Sequence, residues 1–472
     1  MKKNFFALIL LIFLSVFSTK ARDKVTINVL NKSGVDVGMK FIISPKVWIS
    51  GFNDLEEEIG IIESKSDSSF TVIFDNFRDN HLIKCSWLMG WKYVILTPGD
   101  SLNAVITAEN NTKTRFNVNF YGENAENYNG HAKLNAVFNR NLHLSKAKTM
   151  PVRNYIYFLD SIYRNNVREI KEQLHSPVLK NLMLNEEIAC FFACLEYANY
   201  ISDDKLTQNE VIYIKNNFYP GKISNNNYLL MESSSYCSGM SCLLKLIVSN
   251  YITESQLMSG TDTIRKYFDG GIKEYLISYF YYLSYFYNKE KKDINMEYWY
   301  KEYYGTLQER IYNNFIQYVY NRYTKLNNPF PENILNEKLI SVADSSVITI
   351  RDILNNYKGK QIIIDNWASW CGPCAHEIKI SKNNVLELEK RNNQFLYLSL
   401  DKSTDFKKAK NKAVELDIIE KAYVVSGSFN SEYAKWLNIK EIPRFVLIDK
   451  NGNIKNLQLI YPSLIRNFDN YE

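Results

Sequence analysis

Apolar and polar positions change their rhythm twice along the chain. From residue 22 to about 122, apolar residues fall in short β-branched or aromatic runs, "KVTINVLN", "SFTVIFDNF", "WKYVILTPGDSLNAVITA" and "RFNVNFYG", separated by Asn, Gly, Asp and Ser. Such runs read as strands, and Thr97–Asp100 (TPGD) reads as a turn between two of them. A small antiparallel sandwich or barrel is expected. From 123 to 328 the period lengthens. Ile156, Leu159, Ile162, Tyr163, Val167, Ile170 and Leu174 recur at three- and four-residue steps, which marks one face of a helix. Similar patterns run through 183–202, 242–258, 272–289 and 297–325, so this is a helical region. Its Tyr clusters, such as "YLISYFYYLSYFYNK", are expected to pack between helices with their hydroxyls at the solvent edge.

Asn and Pro break the helical pattern in "KLNNPFPEN" (325–333). Strand and helix signals alternate from there, with strands in "LISVA", "QIIIDNWAS", "QFLYLSLD", "AYVVS", "RFVLIDKNG" and "NIKNLQLIY". Alternation of this kind implies a mixed sheet with helices on both faces, here an α/β domain over 329–472.

At the N-terminus, "MKKNFFALILLIFLSVFSTKAR" joins a basic start to an apolar run and then small residues. That is the pattern of a secretory signal over residues 1–21, with cleavage after Ala21, and an uncleaved anchor is the other reading. Both place the remainder outside the cytoplasm, in the periplasm or cell envelope. Composition adds little, being 46% hydrophobic and 23% charged, as in ordinary globular proteins. The formal charge of +6 is spread along the chain, with no basic block interleaved with aromatics, so nucleic acid is not an expected partner.

Seven cysteines are too few for a chain of 472 residues to be held mainly by disulfides. Cys190 and Cys194, spaced four apart on an apolar helical face, read as buried thiols. Cys237 and Cys242 are left open between free thiols and a small loop closure, and Cys85 reads as a lone strand residue. The chemistry concentrates in "QIIIDNWASWCGPCAHE" (361–377), where Cys371 and Cys374 could be half a metal site, a staple or an electron-carrying pair. Zinc needs four ligands, and no second cysteine pair with this spacing lies nearby; no metal is expected. Placed between a strand and a helix start, Cys371 would meet unpaired backbone N–H groups and the positive end of the helix dipole. Both favour the thiolate, the reactive form. Cys371 is therefore expected to be accessible and to attack a substrate disulfide. Cys374, one turn inward, would resolve the mixed disulfide.

"IIIDNWASWCGPC" resembles the active site of thioredoxin-fold proteins, and "YAKWLNIKEIPRFVLIDKNGNI" (433–454) resembles their segment with a cis-proline before a strand. With "LIDKNG" and a secretory signal, the match is to the exported TlpA/ResA-like thiol-disulfide oxidoreductases, over about 335–465. The resemblance implies several roles. Asp365 would be a buried base for Cys374, and Pro443 would be the cis-proline beside the disulfide. Ile442 would offer its backbone to an extended client peptide, and Trp370 would shield the site while Trp367 packs. Arg444 follows the proline where Thr is common; it would either lie beside the disulfide or be a solvated side chain. Lys379 replaces a proline that kinks the helix in the family, while His376 and Glu377 are expected on the helix surface.

The expectation is an exported disulfide reductase or isomerase needing no cofactor, with disulfide-bearing client proteins and a membrane electron-donor protein as partners. The alternative is an envelope binding module for protein, peptide or glycan, in which the thioredoxin-like domain is secondary.

Overall fold

The computed structural model describes residues 24–43, 57–64, 68–75, 79–87, 90–109, 115–135, 145–219, 223–225, 228–248, 254–287 and 294–465. The signal-like segment 1–21 lies outside them. Among the described residues, no helix is long and apolar enough to cross a membrane. The chain packs as two units, residues 1–283 with 303–315, and residues 284–302 with 316–472.

The first unit begins with β1 (Val25–Asn31), β2 (Val37–Ile43), β3 (Glu57–Ser64), β4 (Ser69–Phe74), β5 (His81–Trp87), β6 (Gly90–Leu96), β7 (Ser101–Ala108) and β8 (Phe116–Tyr121). They form two four-stranded sheets, in the orders β4-β1-β7-β8 and β3-β2-β5-β6. Alternation sets the inner faces: Val25, Ile27 and Val29 of β1 and Phe116, Val118 and Phe120 of β8 all enter one core. The expected antiparallel pattern is broken once, because β1 and β7 pair in parallel. A parallel pair needs a long crossover, and the strands between β1 and β7 supply it.

Helices follow: α1 (Ala125–Asn135), α2 (Val152–Gln173), α3 (Pro177–Ile201), α4 (Gln208–Phe218), α5 (Tyr228–Met231), α6 (Ser234–Ile247), α7 (Glu254–Tyr267), α8 (Gly270–Tyr287), α9 (Met296–Tyr303) and α10 (Arg310–Tyr323). Two short strands, β9 (Ile223–Asn225) and β10 (Phe268–Asp269), pair in parallel between them. The aromatic clusters meet the expectation only in part: Tyr298 and Tyr304 are exposed. Tyr236, Tyr275, Tyr281, Tyr303 and Tyr312 are fully buried rather than at the solvent edge. Two of their hydroxyls find small polar partners inside, Tyr275 at 3.1 Å from Ser241 Oγ and Tyr303 beside Thr261. A buried phenol is tolerated when its hydroxyl is bonded, and facing Ser and Thr provide that. Cys237 and Cys242 lie on the single helix α6 and are not joined by a disulfide, so the loop closure left open in the sequence does not occur.

The second unit extends beyond the sequence boundary at 329. Tyr300 stacks on Tyr320 with ring centroids 4.0 Å apart, and Lys325 donates to the Trp436 carbonyl while lying 4.7 Å from its ring. These contacts join the residues around 300 and 320–326 to the C-terminal domain. That domain contains α11 (Glu332–Leu335), β11 (Lys338–Ser341), β12 (Val347–Thr349), α12 (Ile350–Asn356), β13 (Gln361–Trp367), α13 (Gly372–Ile380), α14 (Lys382–Lys390) and β14 (Asn393–Ser399). It continues with α15 (Phe406–Glu415), β15 (Ala422–Val425), α16 (Glu432–Leu437), β16 (Arg444–Ile448) and β17 (Ile454–Leu459). The sheet order is β12-β11-β15-β14-β13-β16-β17, with β13 between parallel β14 and antiparallel β16. Right-handed crossovers from β13 to β14 and on to β15 place α13, α14 and α15 on one face. Their residues share a core with Ile363, Trp367, Phe395, Tyr397 and Phe445. The return from β15 to β16 puts α16 on the other face, where Tyr433 donates to Asn366 Oδ1 at 2.9 Å.

Candidate active site

Strand β13 is apolar on both faces, as a central strand must be, and it carries one carboxylate, Asp365. The chain then turns through Ala368–Trp370 into α13. Cys371 is the N-cap of that helix: the Cys374 N–H donates to its Sγ at 3.1 Å, and Pro373 occupies an early position where no intrahelical N–H is missed. Cys371 and Cys374 are joined as a disulfide. Opposite them the Ile442–Pro443 peptide is cis, and the Ile442 carbonyl oxygen lies 3.7 Å from Cys371 Sγ. Cys371 is only 4% exposed and Cys374 not at all, so the accessible Cys371 read from the sequence is corrected for the oxidised protein. Packing against Ile442 covers it, since both belong to the same core.

Asp365, on β13 six residues before Cys371, is fully buried. Burial first, and then the charge of Glu377, hold its carboxyl well above the usual carboxylate range. Its Oδ1 is buried without a hydrogen-bond partner. The phenol of Tyr397, on the neighbouring strand, is raised by burial and by Asp365. A buried carboxyl that resists ionisation is the kind of group that can exchange a proton with a thiol.

The remaining residues singled out in the sequence divide sharply. Trp370 is 65% exposed, with its ring 6.2 Å from that of Phe429, so it stands at the rim of the site; Trp367 is fully buried. Ile442 and Pro443 are half-buried beside the disulfide. Arg444 matches neither expectation. It pairs across from Asn366, on the sheet face opposite Asp365, is buried, and donates from Nε to the Leu457 carbonyl at 2.8 Å. Strand alternation turns it to the face opposite Asp365, so the reading of Arg444 as lying beside the disulfide is corrected. His376 is exposed as expected, but Glu377 is buried, accepting from Ser463 N–H at 2.9 Å and Ser463 Oγ–H at 2.7 Å. The helix also breaks between α13 and α14 at Ser381, without the proline that Lys379 replaces.

One functional carboxylate was missed as such. Asp401, at the end of β14, is fully buried and accepts from Ser369 N–H at 2.7 Å, Ser369 Oγ–H at 2.7 Å and Ser399 Oγ–H at 2.6 Å. It anchors the turn that delivers Trp370 and Cys371. The only signal in the sequence was a polar pair, Ser399 and Asp401, closing an apolar strand. Among the described residues, no group of His, Cys, Asp and Glu is placed to hold a metal ion.

Residues 349–471 match the Redoxin family. The C-terminal domain is a thioredoxin-like fold of the Redoxin kind. Solved structures that resemble the chain include a protein described as a thiol-disulfide oxidoreductase from Bacteroides vulgatus, 26% identical, covering 29% of this chain and 84% of that one, with a TM-score of 0.24. A thiol-disulfide oxidoreductase from Bacteroides fragilis is 21% identical and covers 27% and 90%, with a TM-score of 0.23. A thiol:disulfide interchange protein of the thioredoxin family from Chlorobium tepidum is 23% identical and covers 27% and 81%, with a TM-score of 0.21. At these TM-scores the likenesses add nothing to the fold, which rests on strand order and the Redoxin match. No curated protein matches the chain.

Proposed function

We propose that this is an exported thiol-disulfide oxidoreductase that reduces or isomerises disulfides of envelope proteins. The observation that carries the reading is the disulfide itself, capping α13 with the Ile442–Pro443 turn against it. In the reduced protein the Cys371 thiolate attacks one sulfur of a client disulfide. A client thiolate leaves and a Cys371–client disulfide forms. Cys374 passes its proton to Asp365 and attacks Cys371 Sγ, releasing the second client thiolate and closing Cys371–Cys374. Two electrons move from the dithiol to the client, and a reduced dithiol donor, proposed to be a membrane protein, must restore them. An extended client strand would lie along Ile442 with Trp370 at its edge.

Trapping tests this directly. Cys374→Ala expressed in its own envelope should accumulate clients covalently held on Cys371, released by reductant. The wild-type chain should reduce insulin disulfides and titrate near the potential of thioredoxin, about −270 mV. No trapped client together with no insulin reduction would remove the reading. A potential near about −120 mV would turn it into an oxidase.

A further inference from the structure

The chain does not end with β17. Residues Tyr461–Ile465 turn back across the helical face, with Pro462–Leu464 in a short 3-10 turn. Two side chains hold that turn to the helices. Asn384 of α14 donates to the Pro462 carbonyl at 2.8 Å. Glu377 of α13 accepts from Ser463 twice, once from its backbone N–H and once from its hydroxyl, using both carboxylate oxygens. Acceptance at both oxygens is the pattern of an ionised carboxylate. Glu377 follows Cys374 by one helical turn, is buried, and bears on Asp365. Tyr461, which opens the turn, packs its ring 5.8 Å from Phe445, the residue paired across from Asp365.

We propose that Ser463 is a positioning residue of the redox site: its two donors hold the Glu377 carboxylate one helical turn beyond Cys374, and that fixed charge sets the pH at which the dithiol reacts. This rests on the oxidoreductase reading above. The other titratable groups bearing on this compartment are Tyr397 on β14, Tyr461 after β17, Glu441 before the cis-proline, and Glu389 of α14, which is ion-paired with Lys421. The phenols are neutral and only the carboxylates bring charge, so Glu377 adds to a negative environment that opposes a further negative charge on Asp365 or on a thiol. Loosening Glu377 should therefore ease ionisation of the site, not hinder it. The anchor is a serine 86 residues from Glu377 in sequence.

The experiment uses the full chain, reduced, and follows its reaction with an aromatic disulfide probe from acid to alkaline pH. Ser463→Ala should move the midpoint of the profile down by about half a pH unit or more, and Ser463→Thr, which keeps the hydroxyl, should restore it. Glu377→Gln should lower the midpoint as well, and adding Ser463→Ala to it should shift the midpoint no further, because the charge it acts through is gone. Melting temperatures recorded alongside separate this role from simple support of the fold. A Ser463→Ala profile superimposed on the wild type, or a further shift in the Glu377→Gln background, would overturn the proposal while leaving the oxidoreductase reading intact. A wild-type chain inert toward the probe at every pH would overturn that reading itself.

Discussion

At Asp365, burial and the neighbouring Glu377 charge act in the same direction, keeping the proton on. The consequence for stability has a definite sign. Because the folded protein holds this proton more tightly than the unfolded chain, Asp365 favours folding while protonated. That contribution is lost as pH rises through its raised folded value. Asp365→Asn should therefore melt higher than the wild type above neutral pH, and the difference should close as pH falls toward the unfolded value of about 3.9. The same substitution should slow release of client from the mixed disulfide by about tenfold or more, since the resolving thiol loses its base. Equal melting curves at alkaline pH would mean that Asp365 ionises without cost, and its role as a poised acceptor would go with that result.

The element that matters most is the strand-turn-helix from β13 to α13, and its precision comes from outside itself. The turn carries Trp370 and Cys371, yet the residue that holds it is Asp401 on the next strand, through Ser369. Removing that carboxylate leaves the Ser369 N–H and two hydroxyls to find new partners in a buried place. Asp401→Ala should destabilise the C-terminal domain by about 2–3 kcal/mol and lower insulin reduction more than it lowers binding of a client peptide. Denaturant melts and the split between kcat and KM check both parts. Asp401→Asn, which keeps an acceptor for the Ser369 N–H, should lose less. The helix that follows was legible as to its start, because Gly-Pro after a cysteine at a strand end marks an N-terminus. Its break at Ser381 was not legible, for the usual proline signal is missing.

Across the whole molecule the seven cysteines fall into two chemical classes. Cys371 and Cys374 are joined as a disulfide, while Cys85, Cys190, Cys194, Cys237 and Cys242 are not disulfide-bonded. Burial pushes the Cys85 thiol up to about 12 and that of Cys237 higher still, so neither is poised to react. Alkylation of the oxidised protein after denaturation should label five thiols, and all seven after reduction. In the native protein Cys85, Cys194 and Cys237 should resist labelling. Mass spectrometry reads these counts, and a modified Cys85 in the native state would show that the β core opens. Packing in the two units also divides the chain differently from its pattern. The helical rhythm runs unbroken to about 325, but Tyr300 stacks on Tyr320, Lys325 donates to the Trp436 carbonyl, and residues 284–302 and 316–325 group with the C-terminal domain. Which partner a Tyr stripe chooses is not written in its spacing.

Local chemistry by itself determined the change from strands to helices to their alternation, five of the eight N-terminal strands, the prominence of the pair Cys371 and Cys374, and the placing of Cys371 at a helix start. Each of these depends on residues close in sequence: alternation, helical period, and a cysteine pair flanking Gly-Pro after an apolar strand. The tertiary structure decided what long-range pairing controls. It turned Arg444 to the far face through strand register and paired β1 with β7 in parallel. It buried Glu377 against Ser463, 86 residues away, and gave Asp401 the turn it holds. Periodicity tells which face of an element is buried; only the fold tells what that face is buried against.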